Sequence, residues 1–538
     1  MKRTVSSTEQ PLFLGLDSST QSLKATLLDA NLSVMHTQTV SFDTDLPQFK
    51  TQGGVHRHAD GLTVTAPAPM WCAALDLLLD RMRDAGWPLA RVVALSGSGQ
   101  QHGCVWLGRG ARRKLQRLDP RASLADCLAD VFSMPDSPIW MDSSTRAQCV
   151  QREAAMGGAQ AVAELTGSRA YERFTGNQIA KYAALDPVRY RHTERIALVS
   201  SFVAGLCIGD YAPIDAADGA GMNLMSLRSR RWAARALACT APGLADKLGA
   251  ITASHRPVGR IHPWYVERYG FNPACLVIAF SGDNPCSLAG LRLQRPGEIA
   301  ISLGTSNTVF GSLSRPKPSA SEGHIFVNPV ERDAYMALVC YKNGSLAHEK
   351  VRDAVAGRSW KRFDELVART QPGNNGCIGF YFFEPEITPP LLNPGVFRFD
   401  ASGRAVDRFE PETEVRALLE WQFLSMRLHG GHIGLKPARI LATGGASVSP
   451  AVIRVMADVF GAPVSVAEQA DSASLGAAYR AVHGWECARR RRWVSFASVM
   501  KRAAPFRVAA EPDKRAHAVY GATLKRFEAL EQQVVNER

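Results

Sequence analysis

Three short runs in this chain have the composition of phosphate and nucleotide cradles. Ser18-Ser19-Thr20 and Gly304-Thr305-Ser306 each sit between two apolar stretches, so each reads as the turn of a hairpin. Small residues and hydroxyls there let backbone N–H groups close around a phosphate oxygen, with Thr20 and Thr305 as the candidate contacts. The third run, Thr443-Gly444-Gly445-Ala446-Ser447, follows a strand-like stretch and precedes a helical one. Its paired glycines allow a nucleoside to approach the backbone. Asp17 stands directly before the first turn, where a carboxylate suits a magnesium ion held through water. A second acid, Asp283, follows the apolar run 276–280 and opens a helical pattern carried by Leu288, Leu291 and Leu293. Asn284 reads as the cap of that helix, with Pro285 as its first residue. Asp283 at such a place should stay ionised, which fits a base orienting a hydroxyl and equally fits a second capping acid.

These groups need a scaffold, and the apolar pattern supplies one. The run 12–16, the run 23–28 and the looser alternation 32–40 read as an antiparallel meander, broken by polar turns. Met70, Ala74, Leu77, Leu78 and Met82 then recur at helical spacing, and 92–95 returns as a strand. The order is repeated later. Strands at 298–303 and 308–313 flank the second turn, and Val415, Leu418, Leu419, Phe423 and Met426 mark a helix. A strand at 439–442, a helix at 450–460, a strand at 463–467 and a helix from 471 to about 481 complete the second half. The repeat predicts an α/β protein of two RNase H-like halves. Their expected limits are 11–290 and 291–485, with 486–538 as a basic helical appendage packed on the second half.

Composition narrows the class further. A chain of 538 residues, 46% hydrophobic and 21% charged, fits two large soluble domains. No apolar run nears the ~20 residues that span a bilayer. Residues 1–10 are polar and lead only into the short run 12–16, which is no secretory segment, so the reading is cytoplasmic with no membrane partner. Eleven cysteines include no C-x-x-C pair, which argues for free thiols rather than a zinc ribbon. The formal charge of +13 raises nucleic acid as a partner. Much of the excess gathers at 109–121 and 489–492 without regularly spaced aromatics, so these read as solvated faces and no nucleic-acid partner is expected. Neither a G-x-x-x-x-G-K-[ST] loop nor a complete dinucleotide fingerprint occurs. His56-Arg57-His58 with Asp60 has metal-like spacing, but no further partner accompanies it.

Six motifs carry a family resemblance: Gly15-Leu16-Asp17-Ser18-Ser19-Thr20, Ser96-Gly97-Ser98-Gly99-Gln100-Gln101-His102-Gly103, Trp140-Met141-Asp142, Gly282-Asp283-Asn284-Pro285, Ser302-Leu303-Gly304-Thr305-Ser306 and Ala442-Thr443-Gly444-Gly445-Ala446. In this order they resemble the FGGY carbohydrate kinases over about residues 11 to 483. The stretches 45–55 and 165–178 resemble the animal-type branch that acts on D-xylulose. The resemblance implies two actin/hexokinase-type domains facing a central cleft that closes on the substrates. It implies transfer of the γ-phosphoryl group of ATP, with Mg²⁺, to the 5-hydroxyl of D-xylulose. His102, Arg173, Asp283 and Asn284 then match the sugar-holding positions, with Asp283 as base. Trp360, Gly445 and Ala446 match nucleotide contacts, beside Gly444 of the same turn. Ser449 stands where that branch tends to have asparagine near the nucleotide, and Ser18 where many members have glycine. Another ketose or polyol as acceptor, or a non-catalytic actin-like ATPase or sugar sensor, remains the alternative. Monomer and homodimer are both open.

Overall fold

The structure, a computed structural model, describes residues 10–467 and 471–537. The first nine residues, part of the stretch read as lacking a secretory segment, lie outside the described residues. The chain forms two compact units. The first takes residues up to Gln294 together with Phe326–Asp333 and Asp471–Ala503; the second takes Arg295–Ile325, Ala334–Ala470 and the remainder from Ala504.

In the first unit, β1 (Leu12–Ser18), β2 (Ser22–Leu28) and β3 (Val34–Ser41) form the expected antiparallel meander. Every residue of β1 is buried, which is what a central strand covered on two faces requires. The helix α1 (Ala68–Asp84) follows, and β4 (Val92–Gly99) then lies parallel to β1. Next in the sheet is β6 (Leu276–Ile278), parallel to β4, and an antiparallel edge strand β5 (Pro257–Arg260). The short β7 (Ser281–Gly282) pairs with the far end of β4. The strand order is therefore β5-β6-β4-β1-β2-β3.

The second unit repeats it. β8 (Glu298–Leu303), β9 (Asn307–Leu313) and β10 (Tyr335–Tyr341) are antiparallel neighbours. β11 (Arg439–Thr443) and β12 (Val464–Val466) extend the sheet in parallel beside β8. An antiparallel edge strand, β13 (Val508–Ala510), closes the row. Two sheets with the same meander-then-parallel order bear out the RNase H-like duplication.

The helices differ from the expectation in one respect. In chain order they include α2 (Ala216–Gly219), α3 (Asp283–Gly290), α4 (Trp360–Ala368), α5 (Pro411–His432), α6 (Pro450–Phe460), α7 (Ser472–Arg489) and α8 (Lys514–Asn536). α7, expected to complete the second half, belongs to the first unit, where it packs on β1, β4 and α3. Small residues allow this approach. A Cβ on Gly15 would lie 2.1 Å from the Ser474 carbonyl oxygen, so only glycine lets strand and helix touch. Arg480 of α7 is fully buried, donates to the carbonyls of Ala279 at 2.8 Å and Ser254 at 3.1 Å, and reaches Asp215 at 3.4 Å. This ties α7 to the loop that leads into β7. The tail also divides. Residues up to Ala503 stay with the first unit, while β13 joins the second sheet and α8 packs on α5 and α6.

Candidate active site

The carboxyl ends of β1, β4 and β7 lie side by side, with Asp17 opposite Ser98 and Ser98 opposite Ser281. Loops leaving that edge of a parallel sheet are where α/β folds place ligands. Asp17 is buried there, and Ser19 Oγ donates to its Oδ2 at 2.5 Å. Burial pushes its pKa up, against the pull of the Ser19 and Ser98 hydroxyls and the Lys24 ammonium. Its Oδ1 is buried with no hydrogen-bond partner among the described residues. A buried carboxylate with one uncommitted oxygen fits a hard cation such as Mg²⁺ or its water.

Asp283 is the first residue of α3, and its Oδ1 accepts from the Asn284 backbone N–H at 2.8 Å and from Asn284 Nδ2 at 3.1 Å. Gly282, not Asn284, occupies the cap position, so Pro285 falls in the third place of the helix rather than the first. Asn284 instead points its amide to Gln101 Oε1 at 2.8 Å. The expectation that Asp283 stays ionised also needs correcting. Burial, then the charge of Asp17, raise its pKa to about 7, more than the N–H groups of Asn284 and Gln101 draw it back. Like charges near one another in a poorly solvated site resist joint ionisation.

His102 is buried in a left-handed backbone conformation at φ +71°. Its Nδ1–H donates to the Gly221 carbonyl at 2.8 Å, and its ring lies 4.5 Å from that of Phe174. Burial and then the Arg173 charge lower its pKa to about 3. The imidazole is thus neutral, and Nε2 is left as an acceptor for a hydroxyl. Arg173 spreads its guanidinium over Tyr171, 5.3 Å from the ring centre. Thr20 Oγ1 accepts from Trp140 Nε1 at 2.9 Å.

Asp218, on α2, carries no motif and was not anticipated from the sequence. It is buried, Ser200 Oγ donates to its Oδ2 at 2.5 Å, and burial raises its pKa to about 7. Gln101 stands beside it: a Cβ on Gly282 would lie 2.4 Å from Gln101 Cγ and 2.7 Å from Asp218 Oδ1. The small-residue run Ala216-Ala217-Asp218-Gly219-Ala220-Gly221 around one acid was the available signal.

The remaining candidates lie in the second unit. Ser302 pairs with Thr443, which brings the turn holding Thr305 beside the turn at Gly444. Gly444 has φ +88°, and a Cβ there would lie 2.4 Å from the Leu303 carbonyl oxygen. Gly445 has open space where its Cβ would be, and Gly445-Ala446 begin a 3-10 turn. Trp360 begins α4, is 45% exposed, and has the Arg352 guanidinium 4.3 Å from its ring centre. Ser449 caps α6, its Oγ accepting from Val452 N–H at 3.2 Å and donating to Asp364 of α4 at 2.8 Å. Its hydroxyl therefore braces the helix that starts at Trp360.

Other singled-out residues have local roles. His56 Nε2 meets the Phe49 carbonyl and His58 Nε2 the Thr65 hydroxyl, while Asp60 accepts from the N–H groups of Leu62 and Thr63 in its own turn. In the two basic runs, Arg112 pairs with Asp210, Lys114 with Asp130, and Arg489 and Arg490 with Glu486. No helix among the described residues is long and apolar enough to cross a membrane.

Comparison with known proteins places these motifs in a family. The description "FGGY family of carbohydrate kinases, C-terminal domain" matches residues 299–485. A xylulose kinase of Mus musculus is 51% identical over 526 residues, 97% of this chain and 94% of that protein. Xylulose kinase 2 of Arabidopsis thaliana is 48% identical over 502 residues, 91% of this chain and 90% of its own length. In fold the chain is similar to a xylulose kinase of Rhodospirillum rubrum, with TM-score 0.79 at 18% identity, covering 97% of this chain and 99% of that one. It is also similar to Plasmodium falciparum glycerol kinase with ADP, with TM-score 0.73 at 14% identity over 97% and 98% of the two chains. The chain belongs to the FGGY family of carbohydrate kinases.

Proposed function

We propose that this protein phosphorylates D-xylulose on its 5-hydroxyl with ATP, and that Asp283 is the base. One observation carries the chemistry: two carboxylates, Asp17 and Asp283, stand along the carboxyl edge of one sheet, and burial together with the charge of the first raises the pKa of the second to about 7. A base is most effective when its pKa lies near the working pH. The choice of acceptor is supported by the relatives at about half identity that are named xylulose kinases.

In this reading His102 Nε2, Arg173 and Asn284 hold the sugar hydroxyls, and Asp283 accepts the proton of the attacking oxygen. Proton transfer comes late, because the phosphoryl transition state is loose and develops little charge on the nucleophile. Mg²⁺ on Asp17 would neutralise phosphate charge when bound. Thr20 and Thr305 offer hydroxyls and turn N–H groups to phosphate oxygens. Trp360 with Gly444, Gly445 and Ala446 receives the nucleoside, and Ser449 acts by bracing the Trp360 helix. The eleven free cysteines fit a reducing, cytoplasmic setting.

ADP release measured over a panel of ketoses, polyols and no sugar tests the proposal. D-xylulose should give the highest kcat/KM. A higher value for another sugar or polyol would move the assignment within the family, and sugar-independent turnover would favour an actin-like ATPase.

A further inference from the structure

One polar cluster in the second unit includes none of the residues assigned to phosphoryl transfer. α5 ends with His429 and His432, one turn apart, and Glu322 faces both rings. His429 Nδ1 is 3.0 Å from Glu322 Oε1 and 3.1 Å from Oε2, and His432 Nδ1 is 2.9 Å from the same Oε1. One ligand atom from each of the three residues falls within 4.8 Å of the others. The opposite ring nitrogens face acids of α8. His429 Nε2 is 2.9 Å from Glu531 Oε2, and His432 Nε2 is 3.7 Å from Glu528 Oε1. Glu531 is only 3% exposed, yet its Oε1 has no hydrogen-bond partner among the described residues.

Imidazoles that bind a metal through one nitrogen commonly offer the other N–H to a carboxylate, which fixes the ring and raises its basicity. His429 has that arrangement with Glu531, His432 has the Glu528 carboxylate within ion-pair distance, and the Nδ1 faces of both rings converge on a third acid, Glu322. The site also lies at the carboxyl end of a 22-residue helix, where unpaired carbonyls favour a cation. Two imidazoles and a carboxylate suit Zn²⁺ or a neighbouring transition ion. Mg²⁺ and Ca²⁺ prefer oxygen throughout.

We propose that His429 Nδ1, His432 Nδ1 and Glu322 bind one divalent transition-metal ion of the zinc class, with Glu531 orienting the His429 ring and Glu528 as a nearby acid facing the His432 ring. The ion would tie the segment carrying Glu322, and through the two acids α8, to the end of α5. Its effect is on the stability of the second unit.

The test uses the full-length, untagged protein, stripped with chelator and titrated with zinc chloride in a calorimeter. One equivalent should bind, and the thermal midpoint should rise with zinc. His432→Ala, at a side chain 42% exposed, should weaken binding at least about 100-fold, abolish the midpoint shift and leave Mg²⁺-dependent turnover unchanged. Glu531→Gln should weaken binding about 10- to 100-fold while all three ligands remain. Cobalt bound at this site should show a visible spectrum of nitrogen and oxygen ligands without thiolate charge-transfer bands. No stoichiometric zinc uptake would overturn the proposal and leave imidazolium–carboxylate pairs as the role of the cluster. Uptake that His432→Ala retains would also overturn it, by placing the zinc elsewhere, as on the cysteines.

Discussion

Replacing Asp283 by Asn separates a catalytic carboxylate from a structural one. The amide keeps an oxygen that can accept from the Asn284 N–H, and the helix cap is Gly282, so the local geometry survives. What is lost is the proton acceptor, and kcat should fall by about 10²–10⁴, or about 3–5 kcal/mol in the barrier. Stability should move the other way. The folded protein holds Asp283 at about 7 rather than 3.8, so it binds the proton more tightly than the unfolded chain does. Stability from this group is present at low pH and is lost as pH rises from about 4 to 7. Above 7 the ionised carboxylate opposes folding by at most about 4 kcal/mol, and because Asp283 is only half-buried, solvent screening reduces this to about 1–2 kcal/mol. Asn removes that penalty. At pH 8 the variant should unfold at higher urea than the wild type, with the advantage gone near pH 4. Turnover by coupled ADP release and unfolding at the two pH values test the two arms. Turnover within a few-fold of wild type would refute the base assignment, and a loss of stability at pH 8 would refute the electrostatic argument.

Arg173→Ala and His102→Ala should each raise KM for sugar roughly 10- to 100-fold, the cost of one hydrogen bond to a charged or buried partner, with little change in KM for ATP. A selective loss of ATP affinity would contradict the assignment of these residues to the sugar. In the wild type, kcat/KM should rise tenfold per pH unit below about 7 and level off above it, as Asp283 loses its proton. His102, at about 3, does not titrate in that range. Asp17→Asn removes one of the two main causes of the raised Asp283 pKa, so in its residual activity that limb should shift to lower pH while more Mg²⁺ is needed; an unmoved limb would show the carboxylates do not interact. Gly444→Ala forces a Cβ to within 2.4 Å of a carbonyl oxygen at φ +88°, and should raise KM for ATP and lower the stability of the second unit by about 1–3 kcal/mol. Unchanged nucleotide affinity would remove this turn from the nucleotide site.

Much of the scaffold was readable in the chain because it rests on local chemistry. Buried runs bounded by polar turns marked both meanders, and Asp17, Thr20, Thr305 and Gly444 sit at strand ends where the turn chemistry placed them. Asp283 and Asn284 were found at a strand-to-helix junction, but Asn284 turned out to serve Gln101 rather than the helix end. Capping preference is a statistical property of residue types, and here a side-chain partner from the turn after β4 decided between them.

The sequence by itself determined the kind of element at nearly every motif, since apolar period and turn residues act over a few neighbours. It also carried six ordered motifs, enough to indicate the family. Only the tertiary structure decided that α7 packs on the first sheet, because an apolar helix pattern says that a face is buried and not against what. Gly15 and Ser474 lie more than 450 residues apart, and their contact at 2.1 Å from a would-be Cβ is visible only after folding. The same holds for charge. Burial, then the charge of Asp17 from β1, raise the pKa of Asp283 to about 7, and burial likewise raises that of Asp218, which has no motif of its own. Glu322, His429, His432 and Glu531 come from three separate segments of the chain. Electrostatics and ligation depend on distance in space, and no local pattern encodes that distance.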